Sequence, residues 1–110
     1  MKVVLKKSQT SEPYTFAFVD NKGKSILRSE NYQAKKGALN GIASVKKNCV
    51  NDARYEMKET KNGKFFFNVK ASNGQIVGTS AFYASMQERS DAVSKLMAEA
   101  PNAAVEEPQD

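Results

Sequence analysis

A chain of 110 residues is the length of one domain, and 40% hydrophobic with 26% charged residues is an ordinary globular composition. The absence of histidine removes the commonest general base, metal ligand and pH switch, and with them a His-dependent triad and the usual zinc sites. The net charge of +5 is unevenly placed: residues 1–50 hold ten basic and three acidic side chains, whereas residues 99–110 hold four acids and no base.

The chain opens on Met1-Lys2-Val3-Val4-Leu5-Lys6-Lys7, a short apolar run between lysines. A secretory core needs roughly 7–15 apolar residues and a membrane span roughly 18, and no stretch comes near either, so the cytoplasm is the expected compartment. Val3-Val4-Leu5 reads as the first strand. Tyr14, Phe16 and Phe18 then alternate with smaller residues, as a strand with one buried face requires. The turn Asp20-Asn21-Lys22-Gly23 tolerates positive φ and leads a hairpin into Ser25-Ile26-Leu27-Arg28.

The period then becomes helical. Ala38, Ile42, Val45 and Cys49 make one apolar stripe with Leu39 beside it. Gly41 lies within this helix and implies a close helix–sheet approach, since glycine costs about 1 kcal/mol there against alanine. Cys49 is the single cysteine, which excludes an intrachain disulfide, and its place on the stripe makes it a buried, inert thiol.

From here the order repeats. Arg54-Tyr55-Glu56-Met57 reads as a strand, Phe65, Phe67 and Val69 alternate, and Ser72-Asn73-Gly74 turns into Gln75-Ile76-Val77-Gly78. A second helical stripe holds Val93, Leu96, Met97 and Ala100, opened by a Ser85/Glu88 capping pattern and closed by Pro101. In the first unit Ala34 stands where the capping serine would be. A single ungapped shift of 51 places lays Phe16 on Phe67, Gly23 on Gly74, Ser29 on Ser80 and Tyr32 on Tyr83, with apolar residues matched between. The chain is therefore read as two tandem β-β-β-α repeats, about 1–50 and 52–101, forming one α+β domain over residues 1–101. About six antiparallel strands with two helices on one face are expected. Residues 102–110, acidic and poor in large side chains, are expected to be a disordered tail.

Several linked motifs carry a resemblance. Ser29-Glu30-Asn31-Tyr32, the run Asn40-Gly41-Ile42-Ala43-Ser44-Val45-Lys46-Lys47-Asn48, then Asp52-Ala53-Arg54-Tyr55-Glu56 and Lys70-Ala71-Ser72-Asn73-Gly74-Gln75-Ile76-Val77-Gly78-Thr79-Ser80 closely resemble the YegP-like family of small bacterial proteins. The resemblance spans roughly residues 1–100. It implies the two-unit fold, with the units forming a pseudo-dimer like the homodimer of single-unit relatives, and it assigns no biochemical activity. The second helix departs from the family pattern, reading Asp91-Ala92-Val93-Ser94-Lys95-Leu96, and Ala81 stands opposite Glu30.

Residues that could carry function are few. Lys35, Lys36, Lys46 and Lys47 flank the first helix at both ends, with Arg28 close in sequence, and could neutralise phosphates. The plainer reading is a solvated helix face whose last-turn lysines answer the helix dipole. Phe66, turned away from the core by alternation, is the one candidate for stacking on a base. Ser29, Glu30 and Tyr32 sit where strand gives way to helix, and recurrence of the serine and tyrosine suits turn hydrogen bonding better than catalysis. There is no P-loop or dinucleotide fingerprint, and no carboxylate pair at an acid–base spacing. The expected function is a non-enzymatic module binding a polyanion such as nucleic acid, without metal or cofactor. The alternative is a structural or protein-interaction module, and in both cases a monomer with internal pseudo-symmetry is expected.

Overall fold

A computed structural model describes residues 1–107. The strands are β1 (Lys2–Lys7), β2 (Tyr14–Val19), β3 (Ser25–Arg28), β4 (Tyr55–Glu59), β5 (Phe65–Lys70), β6 (Ile76–Ser80) and β7 (Ala104–Glu106), with helices α1 (Lys35–Asn48) and α2 (Met86–Glu99). Short 3-10 turns at Asp52–Arg54 and Ala100–Asn102 follow the two helices, so Arg54 precedes β4 instead of opening it. The strands form one sheet in the order β4-β5-β6-β3-β2-β1-β7. Every neighbouring pair is antiparallel except β1 and β7, which are parallel.

The units obey the 51-residue shift closely. Strands β2 and β5, and helices α1 and α2, have bounds related by that shift, and each unit has a register irregularity at the end of its hairpin. At the junction, β3 pairs with β6 and Arg28 lies opposite Thr79, its own counterpart. A pseudo-two-fold axis through that pair follows.

Alternation on the strands sends one set of side chains to the helices. Val3, Leu5, Phe16, Phe18, Leu27, Phe67 and Val69 are fully or almost fully buried and pack with Ala38, Ile42, Val45 and Cys49 of the α1 stripe and Val93 and Leu96 of α2. Val77 is half-buried, and Leu39 is 38% exposed, at the edge of the stripe instead of within it. Gly41 has the expected reason for being glycine: a Cβ there would sit 2.5 Å from the Tyr32 hydroxyl and 2.9 Å from the Phe16 ring. Cys49 is fully buried, which pushes its thiol pKa up and makes it a poor nucleophile. The capping expectations hold, since Ser85 Oγ accepts from Glu88 N at 3.1 Å while Ala34 makes no side-chain cap. The Glu88 carboxylate reaches back one residue further than a standard box, to Ala84 N at 3.2 Å. Among the described residues no helix is long and apolar enough to cross a membrane.

The tail corrects the sequence reading. Disorder was expected from residue 102, but Asn102 ends the turn after α2, Ala103 is buried, and β7 adds to β1 with Ala104 opposite Lys2 and Val105 opposite Val3. The sheet therefore has seven strands and one parallel pair. The cause is the exposed edge of β1, whose unpaired backbone groups template a strand from a segment with almost no apolar pattern. Residues 108–110 of the expected tail lie outside the described residues.

Candidate functional site

The five basic residues singled out in the sequence do not form one field. Lys35 is ion-paired with Glu107, and Lys46 donates to the carbonyl of Ala103 at 2.6 Å, so the docked tail runs along α1 from its C-terminal to its N-terminal end. Lys36 and Lys47 are exposed and, eleven residues apart, share one helix face with Asn40. Arg28 lies on the opposite side of the sheet. It pairs with Ala17 and Thr79, which alternate with core residues and face away from both helices. The expected cluster is thereby split: Lys46 is committed to the fold, Lys35 to the tail, and Arg28 to another surface.

That surface is the helix-free face of the sheet, and its two halves differ in chemistry. In the second unit the Glu56 carboxylate accepts from Asn68 Nδ2 at 3.0 Å and meets Lys70 at 2.9 Å and Lys58 at 3.8 Å. Asn68 Oδ1 in turn accepts from Thr79 Oγ1 at 2.8 Å. The Asn68 amide and Lys70 hold the Glu56 carboxyl below its usual range. Lys58 and Lys70 thus share one carboxylate within a hydrogen-bonded network.

In the first unit, Val4 and Ala17 stand where Glu56 and Asn68 stand in the second, and Arg28 stands where Thr79 does. The small apolar floor leaves a depression of about 430 Å³ at the junction of the repeats. Lys6 and Arg28 line it as cations, and among the described residues neither makes an ion pair or hydrogen bond. Thr15, Thr79 and Asn31 add polar groups, and Glu30 supplies the single carboxylate. Phe82 closes one side; it is 61% exposed and packs edge-on against Phe66, with ring centroids 5.3 Å apart. Phe66 does face away from the core, as alternation required. Its partner Phe82 was missed, although the repeat carried a signal, because the first unit has Asn31 at that place.

Ser29 and Tyr32 perform local structural work. Ser29 Oγ accepts from Phe16 N at 2.9 Å and donates to Glu30 O at 2.7 Å, while Ser80 Oγ does the same with Phe67 N at 2.9 Å and Ala81 O at 2.8 Å. Tyr32 and Tyr83 bridge to Tyr14 and Phe65 through paired backbone bonds. The turn reading accounts for both repeated residues.

A family profile described as a domain of unknown function, DUF1508, matches this chain twice, over residues 10–56 and 60–107. The chain belongs to the DUF1508 family. The first matched segment of this DUF1508 chain holds β2, β3, α1 and the first two residues of β4, and the second holds β5, β6, α2 and β7. The chain is 48% identical over 94 residues to a UPF0339 protein in the ptx operon 5′ region of Stutzerimonas stutzeri, covering 86% of this chain and 85% of the other. It is 43% identical over 94 residues to the UPF0339 protein YegP of Escherichia coli K12, covering 86% and 84%. The solution structure of UPF0339 protein SO3888 from Shewanella oneidensis matches with a TM-score of 0.90 at 37% identity, covering 96% of this chain and 89% of that one. That of Escherichia coli YegP gives 0.88 at 39% identity, covering 96% and 90%. The resemblance to YegP-like proteins and the two-repeat α+β fold are borne out. The family and its relatives are described as of unknown function.

Proposed function

We propose that this DUF1508 protein is a non-enzymatic, monomeric cytoplasmic binding module for a polyanion, single-stranded nucleic acid, engaged on the helix-free face of the sheet. One observation carries the reading: Arg28 and Lys6, two cations whose side chains make no ion pair or hydrogen bond among the described residues, line a depression beside the exposed Phe82–Phe66 pair. A cation beside an exposed ring fits a strand whose phosphates lie on the former and whose base lies on the latter. Stacking of that kind is worth about 1–3 kcal/mol per base. A duplex keeps its bases inside, so Phe82 discriminates against it. Glu30 opposes the phosphate and lowers affinity. The non-enzymatic part rests on the lack of histidine and on the engagement of the Ser29 hydroxyl in its turn. A single buried cysteine, with no second one for an intrachain disulfide, suits a reducing compartment.

The test is fluorescence anisotropy of labelled single- and double-stranded oligonucleotides at two salt concentrations. Wild type should prefer the single strand. Arg28→Ala and Lys6→Ala should each lower the salt slope by about one unit, and Phe82→Ala should weaken binding without changing the slope. Glu30→Gln should tighten it. Absence of binding at low salt, or equal slopes for wild type and the Arg28 and Lys6 variants, would overturn this reading in favour of a protein-interaction module.

A further inference from the structure

We infer a second, separate site for a phosphate-type oxyanion in the cleft of about 550 Å³ between the exposed face of α1 and the turn of the second hairpin. Three of the sequence motifs that are far apart in the chain meet there. Asn40 and Lys47 come from α1, Arg54 from the turn after it, and Ser72 from the β5–β6 turn.

The hydrogen bonds within the cleft leave it rich in donors. Asn48 Oδ1 accepts from Arg54 Nε at 3.1 Å, Asn51 Oδ1 from Ala53 N at 2.9 Å, and Ser44 Oγ from Asn48 Nδ2 at 3.2 Å. Three side-chain oxygens of the cleft are thus engaged internally. The Lys47 ammonium, the Arg54 Nη groups and the Asn40 amide make no hydrogen bond or ion pair among the described residues. Asn48 is buried, so the Arg54 guanidinium is held by its Nε with its terminal nitrogens left to bind. Such a fork suits an oxyanion.

Lys47 stands in the last turn of α1, where a lysine ordinarily answers the helix carbonyls. Several carbonyls at that end already have other donors. Ser44 O takes Asn48 Nδ2 at 2.8 Å, Asn48 O takes Asn51 N at 3.1 Å, and Cys49 O takes the Tyr55 hydroxyl at 2.6 Å. Lys47 donates to none of these carbonyls and lines the cleft.

The pseudo-two-fold supplies the contrast. At the corresponding places of α2, Asn40 becomes Asp91, Lys47 becomes Ala98 and Asn48 becomes Glu99, and the facing turn offers Asp20. There Glu99 takes a cation, the N-terminal ammonium of Met1, at 3.2 Å. One frame thus carries different charges in its two copies. The opposite cleft mixes Asp20, Glu88 and Asp91 with Lys24 and Lys95, whereas the α1 cleft has no carboxylate in its lining and is complementary to an anion.

The ligand is assigned to a class, a phosphate or phosphate monoester, and the test separates the two sources. Backbone amide NMR spectra of the whole protein would be followed during titration with inorganic phosphate and, separately, with a nucleoside monophosphate, each against chloride at matched ionic strength. Saturable shifts are expected at Asn48–Arg54 and Ala71–Asn73. A higher affinity for the nucleotide assigns the site to an organic phosphate, and equal affinity assigns it to phosphate alone. Lys47→Gln and Asn40→Asp should each weaken binding about tenfold, as loss of a charge-assisted hydrogen bond would. Both positions are exposed, so the fold should survive. Lys95→Gln, in the opposite cleft, should change nothing. Shifts that do not saturate, that spread over all lysines, or that persist unchanged in Lys47→Gln and Asn40→Asp would overturn the inference. None of these variants touches Arg28, Lys6 or Phe82, so failure here and failure of nucleic-acid binding on the other face are read independently.

Discussion

The two repeats have nearly the same backbone and very different surfaces. Residues 1–50 hold ten basic and three acidic side chains, and residues 51–101 hold seven and six. Apolar positions survive the 51-residue shift because each fills a place in a shared core, where a change of even one methylene is felt. Polar positions have drifted because only water or a ligand constrains them. Arg28 faces Thr79, Ala17 corresponds to Asn68, and Asn40 corresponds to Asp91. The fold is thus a two-copy property, whereas each candidate site is single-copy and arises where the copies differ.

If the core is shared evenly, counterpart truncations should cost alike. Ile42→Ala should lose about 2–5 kcal/mol through transfer and cavity terms, and Val93→Ala should approach it. Urea denaturation would check both. A loss below about 0.5 kcal/mol at Ile42 would show that α1 packs by another face. Gly41 sharpens the point, because its counterpart is Ala92. Gly41→Ala drives a methyl into Tyr32 and Phe16 and should cost about 1–3 kcal/mol by overpacking, although alanine is the better helix former.

The tail breaks the symmetry, since β7 covers the β1 edge and no strand among the described residues covers that of β4. Truncation after Asn102 removes buried Ala103, the Lys46–Ala103 bond and the β7 ladder, and should cost about 1–3 kcal/mol. An unchanged melting temperature would show that β7 adds nothing to stability.

Much of this frame was legible in the sequence. The strand alternations, the hairpin turns, both helices and the reason for Gly41 followed from periodicity and the repeat. The face of Arg28 did not. Ile26 and Leu27 are consecutive and both buried, because the register shifts between Phe18 and Val19, so simple alternation cannot orient β3. The helix lysines looked like one set because sequence spacing does not reveal that Lys46 caps a carbonyl 57 residues away. Strand β7 was hidden for a related reason. Ala104-Val105-Glu106 has no alternation of its own, and its conformation is dictated by the neighbouring edge.

Smaller effects probe the local chemistry of each copy. Ser80→Ala leaves the backbone N–H of buried Phe67 without its partner and should cost about 1–3 kcal/mol, with Ser29→Ala costing less because Ser29 is less buried. Equal costs, measured by thermal unfolding, would mean that burial does not set the penalty. The smallest effect concerns Glu56, whose first-unit counterpart is Val4. Hydrogen bonds from Asn68 and Lys70 hold its carboxyl below the ordinary glutamate range, so its contribution is complete above that range and is lost as pH falls through the lowered folded pKa. Glu56→Gln should therefore flatten the acid limb of a stability–pH profile and leave the shape above pH 5 unchanged.

The central claim is that the junction of the repeats, on the helix-free face, is where this protein meets its partner. The most direct measurement is a backbone amide NMR titration with a short single-stranded oligonucleotide at low salt. Saturable shifts should appear at Lys6, Arg28–Asn31 and Thr79–Phe82, and should collapse when salt is raised or when Arg28 is replaced by alanine. A saturated titration that leaves those residues unmoved, or shifts there that ignore both salt and the Arg28 substitution, would contradict the account.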